Sequence, residues 1–433
     1  MPLPAAKSEP HPPDTNGGGI GRLHVASGSR LSQERMEKLG ATDEKGRATM
    51  RRGVAKQRPS WGVVVNVAIA VGLSAALVIG NGFPPALGAA GTVRIGAIAN
   101  LTGPDPNMGE DMAHAVAVGL DEINGSGGIN GQKLEVIMED GEYRPEAGVA
   151  AAHKLIDVNN VPLLLEEGGS GVLLPIAQYA KTKNTIVINV GASSPLIRQL
   201  KGTVYSVLGL DDVQGKYLAQ WMYAKGFRKM ATVDPNNPFG VELGKALARE
   251  FEKMGGKAVL DINYELNQAD YRPDLQRVAD THPDVVASGM YGDDSKLLFK
   301  QALQIGLTVP WYCAYVTTVK IDDPSQAVGR LYGMELGFNL PSASKLRDAL
   351  IKRYGHPPTT PYGIYAYDGL WLAALAMRKV GTDPNKLRTA LIQVAPTYTG
   401  ATGKIILDGD GQRENAPLEK LTLDKDGKFV PTN

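Results

Sequence analysis

Cysteine is nearly absent: the 433 residues contain one, Cys313. A single thiol builds no disulfide framework, so the fold must rest on an apolar core. Charge of one sign is also missing. Lys and Arg total 46 against 45 Asp and Glu, a balance that offers no field for nucleic acid or an anionic surface. No nucleic-acid partner is expected. The signatures of several chemistries are absent too: no Gly-x-Ser-x-Gly elbow, no dinucleotide fingerprint, and no zinc spacing among the six histidines. The chain does not read as an enzyme, and neither a cofactor nor a metal is expected.

The N-terminal 60 residues are polar, rich in Gly and Pro, and without apolar periodicity, a composition that does not build a core. Residues 63–79 form the one long apolar run. Basic residues (Arg51, Arg52, Lys56, Arg58) precede it, and small ones (Ala86, Gly88, Ala89, Ala90) follow. That order predicts a cleaved signal peptide over 50–90; the alternative is a retained membrane anchor. Its n-region would be unusually long, which points to translation starting at Met50 and to an extension over 1–49 that is disordered or mis-annotated. The pair Arg51-Arg52 leaves the twin-arginine route open beside the general one. No cysteine follows the run, so no lipid anchor is expected there, and a periplasmic location is.

From residue 92 apolar strands alternate with amphipathic helices. An apolar strand opening at Val93 and ending in a small, polar turn before Pro104, an expected helix over about 108–124 with Ala113, Val116, Ala117, Leu120 and Ile123 as its stripe, and residues 133–140 make a parallel crossover unit. Strands are expected at 162–167, 185–190 and 204–208, then in a second series at 230–234, 257–263, 285–289 and 309–314. Two successive series predict two doubly wound α/β lobes with a ligand cleft between them. Residues 92–210 with 337–395 would form the N-terminal lobe, where three helices from 344 onward provide cover. Residues 211–336 with 396–433 would form the C-terminal lobe, the tail returning as a hairpin of 404–411 with 418–423.

The glycines of Gly168-Gly169-Ser170-Gly171 stand between a strand and a helix, where backbone can approach an anion and Ser170 can donate; the plain alternative is a helix cap. Gly191-Ala192-Ser193-Ser194 follows the next strand with two hydroxyls and candidate open N–H groups, or is simply a Ser-rich turn. Phe239, Tyr291 and Tyr315 occupy comparable strand ends in the second series, as ligand cover or as packing. Asp293-Asp294 reads as a helix N-cap with a first-turn acid. Cys313, in an apolar run, reads as a buried small residue.

Taken as a series, Ile95-Gly96 through Leu101-Thr102-Gly103-Pro104, Gly127-Gly128-Ile129-Asn130-Gly131, Ser193-Ser194-Pro195, Gly209-Leu210-Asp211 and Phe239-Gly240 resemble the leucine/isoleucine/valine-binding family of type I periplasmic solute-binding proteins. The resemblance runs over about 92–425. It implies two lobes joined by three crossovers, closing on a small-molecule solute that is handed to the permease of an ABC importer, with the receptor a monomer. A sensory protein on the same fold is the alternative. By the same resemblance Ser170, Gly191, Ala192 and Ser193 hold the ligand carboxylate, and Phe239 and Tyr291 cover it. Two departures stand out: Met108 replaces an aromatic lining residue, and Tyr315 stands where branched-chain amino acid binders place the glutamate that pairs with the ligand ammonium. Tyr143 and Gly169 stand near that family's disulfide positions. Either Asp293 supplies the missing charge, or the solute carries no ammonium: a carboxylate, an aromatic acid or an amide.

Overall fold

The structure, a computed structural model, describes residues 91–337 and 339–433. The expected signal peptide and the extension before it lie outside the described residues. Among the described residues no helix is long and apolar enough to cross a membrane.

The first series runs β1 (Thr92–Ala99), α1 (Pro106–Gly125), β2 (Lys133–Asp140), α2 (Pro145–His153), β3 (Leu163–Glu166), α3 (Ser170–Thr182), β4 (Ile186–Asn189) and β5 (Val204–Ser206). Its strands form one parallel sheet in the order β2-β1-β3-β4-β5, with Ile95 beside Val136 and Leu163 beside Ile186. Strand side chains alternate between faces, so Leu163 and Leu165 enter one core cluster while Leu164 enters another. Both faces are therefore apolar, as a parallel sheet requires. At Gly128 (φ 60°), in the turn from α1 into β2, an added Cβ would meet the Gln132 carbonyl oxygen at 2.0 Å, so only glycine fits.

The second series runs α4 (Asp211–Ala224), β6 (Lys229–Pro235), α5 (Pro238–Lys253), β7 (Lys257–Tyr264), α6 (Arg272–Asp280), β8 (Val285–Ser288), α7 (Gly292–Gln304), β9 (Trp311–Ala314) and β10 (Leu331–Leu336). The chain then returns to the first lobe for α8 (Ser344–Tyr354), α9 (Tyr362–Val380) and α10 (Pro384–Val394). Gly119 of α1 lets α9 approach closely, since a Cβ there would stand 3.1 Å from Tyr367 and 3.2 Å from Leu370. That contact widens the buried face of α1 beyond the expected stripe: Met108, Met112 and Ala115 are buried with Val116 and Ile123, whereas Ala113, Ala117 and Leu120 are partly exposed.

The tail departs from expectation. A small hairpin, β11 (Thr399–Gly400) with β12 (Gly403–Lys404), and the stretch to residue 413 belong with the first lobe. Arg413, 1% exposed, donates to the carbonyls of Val207, Thr402 and Lys404. Asp368 of α9 accepts from the N–H groups of Ala401 and Thr402. A buried guanidinium must satisfy its donors, and the acceptors are in that lobe. Only β13 (Leu418–Leu423) and β14 (Phe429–Pro431) join the second sheet, ordered β14-β13-β10-β9-β8-β6-β7, in which β13 pairs antiparallel with β10 and β14. The hairpin partner of 418–423 is thus β14, not 404–411. The chain passes between the sheets three times: after β5, after β10 and after residue 413.

Candidate functional site

The C-terminal ends of the strands in the two sheets face one cleft. It encloses a cavity of about 210 Å³. From the first lobe come Asp105, Met108, Tyr143, Ser170 and Ser193; from the second come Asn237, Phe239, Tyr291, Tyr315 and Thr318; Tyr362 opens α9. Of the residues singled out in the sequence, Met108, Ser170, Gly191, Ser193, Phe239, Tyr291 and Tyr315 line this space together.

Ser170 begins α3. Its Oγ accepts the N–H groups of Ser193 (3.3 Å) and Ser194 (3.1 Å), which leaves its own proton to donate into the cavity. The N–H groups of Ser170 and Gly171, in the first turn, have no intrahelical acceptor and carry the positive end of the helix dipole. The 191–194 loop is different from expectation. Gly191 and Ala192 donate to Asn189 Oδ1 (3.2 and 2.8 Å), and Ser193 and Ser194 donate to Ser170. Its N–H groups are occupied, so the loop shapes that end of the cavity without supplying free N–H donors. Gly191 is needed for packing: a Cβ there would stand 1.8 Å from the Glu167 carbonyl oxygen. Ala192 is fully buried behind the loop and does not line the cavity.

Asp293 does not supply the missing charge. Its side chain is 79% exposed, pairs with Lys296 at 3.1 Å, and lies outside the cavity lining. It and Asp294 sit inside the first turn of α7, whose N-cap is Tyr291, because Asp294 accepts Tyr271 Oη at 2.6 Å instead of capping. The one carboxylate in the lining is Asp105, and Lys320 of the opposite lobe holds it at 3.0 Å. Glu167 lies beneath the floor. Burial pushes its pKa to about 8, against the two Asn100 N–H donors that favour its charged form, so at neutral pH it is mostly protonated.

Five aromatic rings line the space. Tyr143 and Tyr291 meet edge-on across the cleft at 6.4 Å, and Phe239 lies 6.2 Å from Tyr291 and 5.7 Å from Tyr315. Tyr143 and Tyr315 both adopt the left-handed backbone region (φ 53° each), a strain of about 1–3 kcal/mol for each bulky residue. Tyr315 Oη donates to Asp211 Oδ1 and Ser193 Oγ to Asp211 Oδ2, both at 2.9 Å. Asp211, fully buried where the chain first crosses between lobes, has its pKa raised to about 7 by burial. Tyr315, Asp211 and Ser193 thus connect the second lobe, the crossover and the first lobe. Tyr143 Oη stands over Gly169, where a Cβ would meet it at 2.6 Å.

Sequence reasoning passed over Asp105, Asn237, Leu266, Thr318 and Tyr362 as lining residues, and gave Tyr143 no binding role. Tyr143 and Asn237 carried the signal that marked the others, a position just past a strand end. Tyr362 carried none, since only the return of α9 to the first sheet brings it in.

The architecture is that of known proteins. A leucine-binding protein from Thermotoga maritima superposes with a TM-score of 0.70 at 20% identity, covering 79% of this chain and 98% of that one. A solute-binding protein of an ABC transporter from R. palustris, solved with 4-hydroxybenzoate, does so at 0.68 and 19%, covering 79% and 95%. In sequence, Leu/Ile/Val-binding protein homolog 1 of Brucella abortus (strain 2308) is 24% identical over 346 residues, 78% of this chain and 92% of that protein. A leucine-, isoleucine-, valine-, threonine- and alanine-binding protein of Pseudomonas aeruginosa is 25% identical over 351 residues, 78% and 91%. The family model described as periplasmic binding protein matches residues 92–428. With that match over most of its length and the two-lobed cleft described above, the chain belongs to the periplasmic binding protein family.

Proposed function

We propose that the protein is a monomeric periplasmic solute receptor that binds a small carboxylate lacking an ammonium group, aromatic acids foremost, and delivers it to the permease of an ABC importer. One observation carries this reading: the lining has a single carboxylate, Asp105, and Lys320 already neutralises it. An α-amino acid would bury its ammonium among aromatic rings without a counter-charge, at a cost of several kcal/mol. A carboxylate alone finds donors at the start of α3 in Ser170 and the first-turn N–H groups. The rings of Tyr143, Phe239 and Tyr291 offer edges and faces to an aromatic body. Neighbours of this fold include both a leucine-binding protein and a complex with 4-hydroxybenzoate, so the fold admits either and the lining decides.

Transport needs no chemistry from the receptor. Solute that touches both lobes stabilises the closed form over the open one, and the permease distinguishes the two. Here Asp105 and Lys320 also pair across the cleft. Calorimetric titration with 4-hydroxybenzoate and with leucine tests the reading. Micromolar binding of the first is expected, with leucine weaker by about 100-fold or more, since each decade is about 1.4 kcal/mol. Micromolar leucine binding would overturn it.

A further inference from the structure

Away from the cavity, α1 turns another face toward the loop that follows α8. Glu110 and His114 stand one helical turn apart, and His356 of that loop comes over them. One ligand atom from each lies within 4.8 Å of the others, with His114 Nε2 at 4.0 Å from Glu110 Oε1. The His114 ring stacks on Tyr354 at 3.6 Å and 12°, which fixes its plane. His356 Nδ1 lies 2.9 Å from the Pro357 carbonyl oxygen. A carbonyl only accepts, so Nδ1 carries the proton and Nε2 keeps its lone pair, the arrangement by which ligating imidazoles are commonly oriented.

The loop is fixed in place before any ion arrives. Asp111, next to Glu110, accepts the N–H groups of Thr359 (2.9 Å) and Thr360 (2.7 Å) and both hydroxyls. Arg353, a nearby cation, is engaged by Asp121 at 2.7 Å. We infer that Glu110, His114 and His356 form a binding site for a zinc-class divalent cation on the outer face of the first lobe, with water completing the tetrahedron. Two nitrogens and one carboxylate leaving an open position suit zinc. Ligand atoms on bonds of about 2.0–2.1 Å stand about 3.3 Å apart, so the trio must close by roughly an ångström. Glu110, 60% exposed, is free to do so. A bound ion would staple the first half of α1 to the α8–α9 loop, two residues from Met108 in the cavity wall.

The untagged full-length chain, titrated with zinc chloride by calorimetry at pH 7.5, is expected to take up zinc at this site with micromolar affinity. His114→Ala and His356→Ala should each weaken that uptake at least tenfold, while their melting temperatures without zinc stay near wild type. Glu110→Gln, which keeps the side-chain shape, serves should a histidine variant fail to fold. Cobalt(II) in place of zinc should give the visible absorption of tetrahedral coordination in wild type and lose it in the variants. No zinc uptake by wild type at about 1 mM, or equal uptake by wild type and all folded variants, would overturn the inference. Solute affinity plays no part in either readout, so the site stands or falls independently of the transport reading.

Discussion

Replacing Asp211 by Asn should flatten the dependence of stability on pH. Asp211 is fully buried and accepts two hydroxyl hydrogen bonds, yet burial outweighs them and lifts its pKa from 3.8 to about 7, with Asp212 adding to the rise. A carboxylic acid whose pKa is raised on folding contributes fully below its unfolded value. That contribution is lost as pH climbs to the folded value, because the unfolded chain ionises first. Between pH 5 and pH 8 the loss amounts to about two pH units, or about 3 kcal/mol. Asn cannot ionise, and its amide still meets the hydroxyls of Tyr315 and Ser193, which can donate or accept. Thermal unfolding of both proteins at pH 5 and pH 8 reads the effect. For proteins of 150–250 residues each kcal/mol is worth about 2–4 °C, and somewhat less here. The wild-type melting temperature should fall by several degrees more than that of the variant over this interval. Part of the fall should persist in the variant, since burial also raises Glu167 to about 8 and Glu335 to about 7. A variant that loses the same stability at both pH values would refute the reasoning, because it would mean that Asp211 is ionised and stabilising throughout.

Ser170→Ala removes the acceptor of two loop N–H groups and the hydroxyl proposed to donate to the solute; titration should show binding of 4-hydroxybenzoate weakened by about 1.5–3 kcal/mol, and unchanged affinity would exclude Ser170 from the proposed anion site. Gly191→Ala drives a methyl into the Glu167 carbonyl and should cost about 3 kcal/mol or more by overpacking, seen as a lowered denaturant midpoint. Lys320→Met breaks the pair with Asp105 across the cleft while keeping the stem. Lys320 is partly exposed, so the loss in solute affinity should stay within about 1 kcal/mol and vanish in high salt; a salt-independent loss would assign Lys320 a direct contact with the solute.

The elements were legible because period and punctuation are local. β2 runs from Lys133 to Asp140, as its apolar pattern predicts. β10 and β14 were missed: Leu331–Leu336 lies among turns and charged residues, and three residues at 429–431 carry too little pattern to read. The tail misled for a different reason. Residues 404–411 look like a strand and turn, but the partner that decides their place is Arg413, buried against carbonyls of the first lobe.

The same division holds for the cleft. Sequence alone determined that two doubly wound α/β lobes would form and that their strand ends would carry Ser170, Ser193, Phe239, Tyr291 and Tyr315; the family resemblance added that Tyr315 stands where amino acid binders carry a glutamate. The lobes and the strand-end residues follow from side-chain period and turn chemistry. Tertiary structure decided which donors stay free, because Asn189 and Ser170 take up the loop N–H groups. It also decided which acid lines the cavity, by placing Asp105 there against Lys320 and leaving Asp293 outside. Hydrogen-bond capacity and charge are used up by neighbours distant in sequence, and only the folded chain shows which remain.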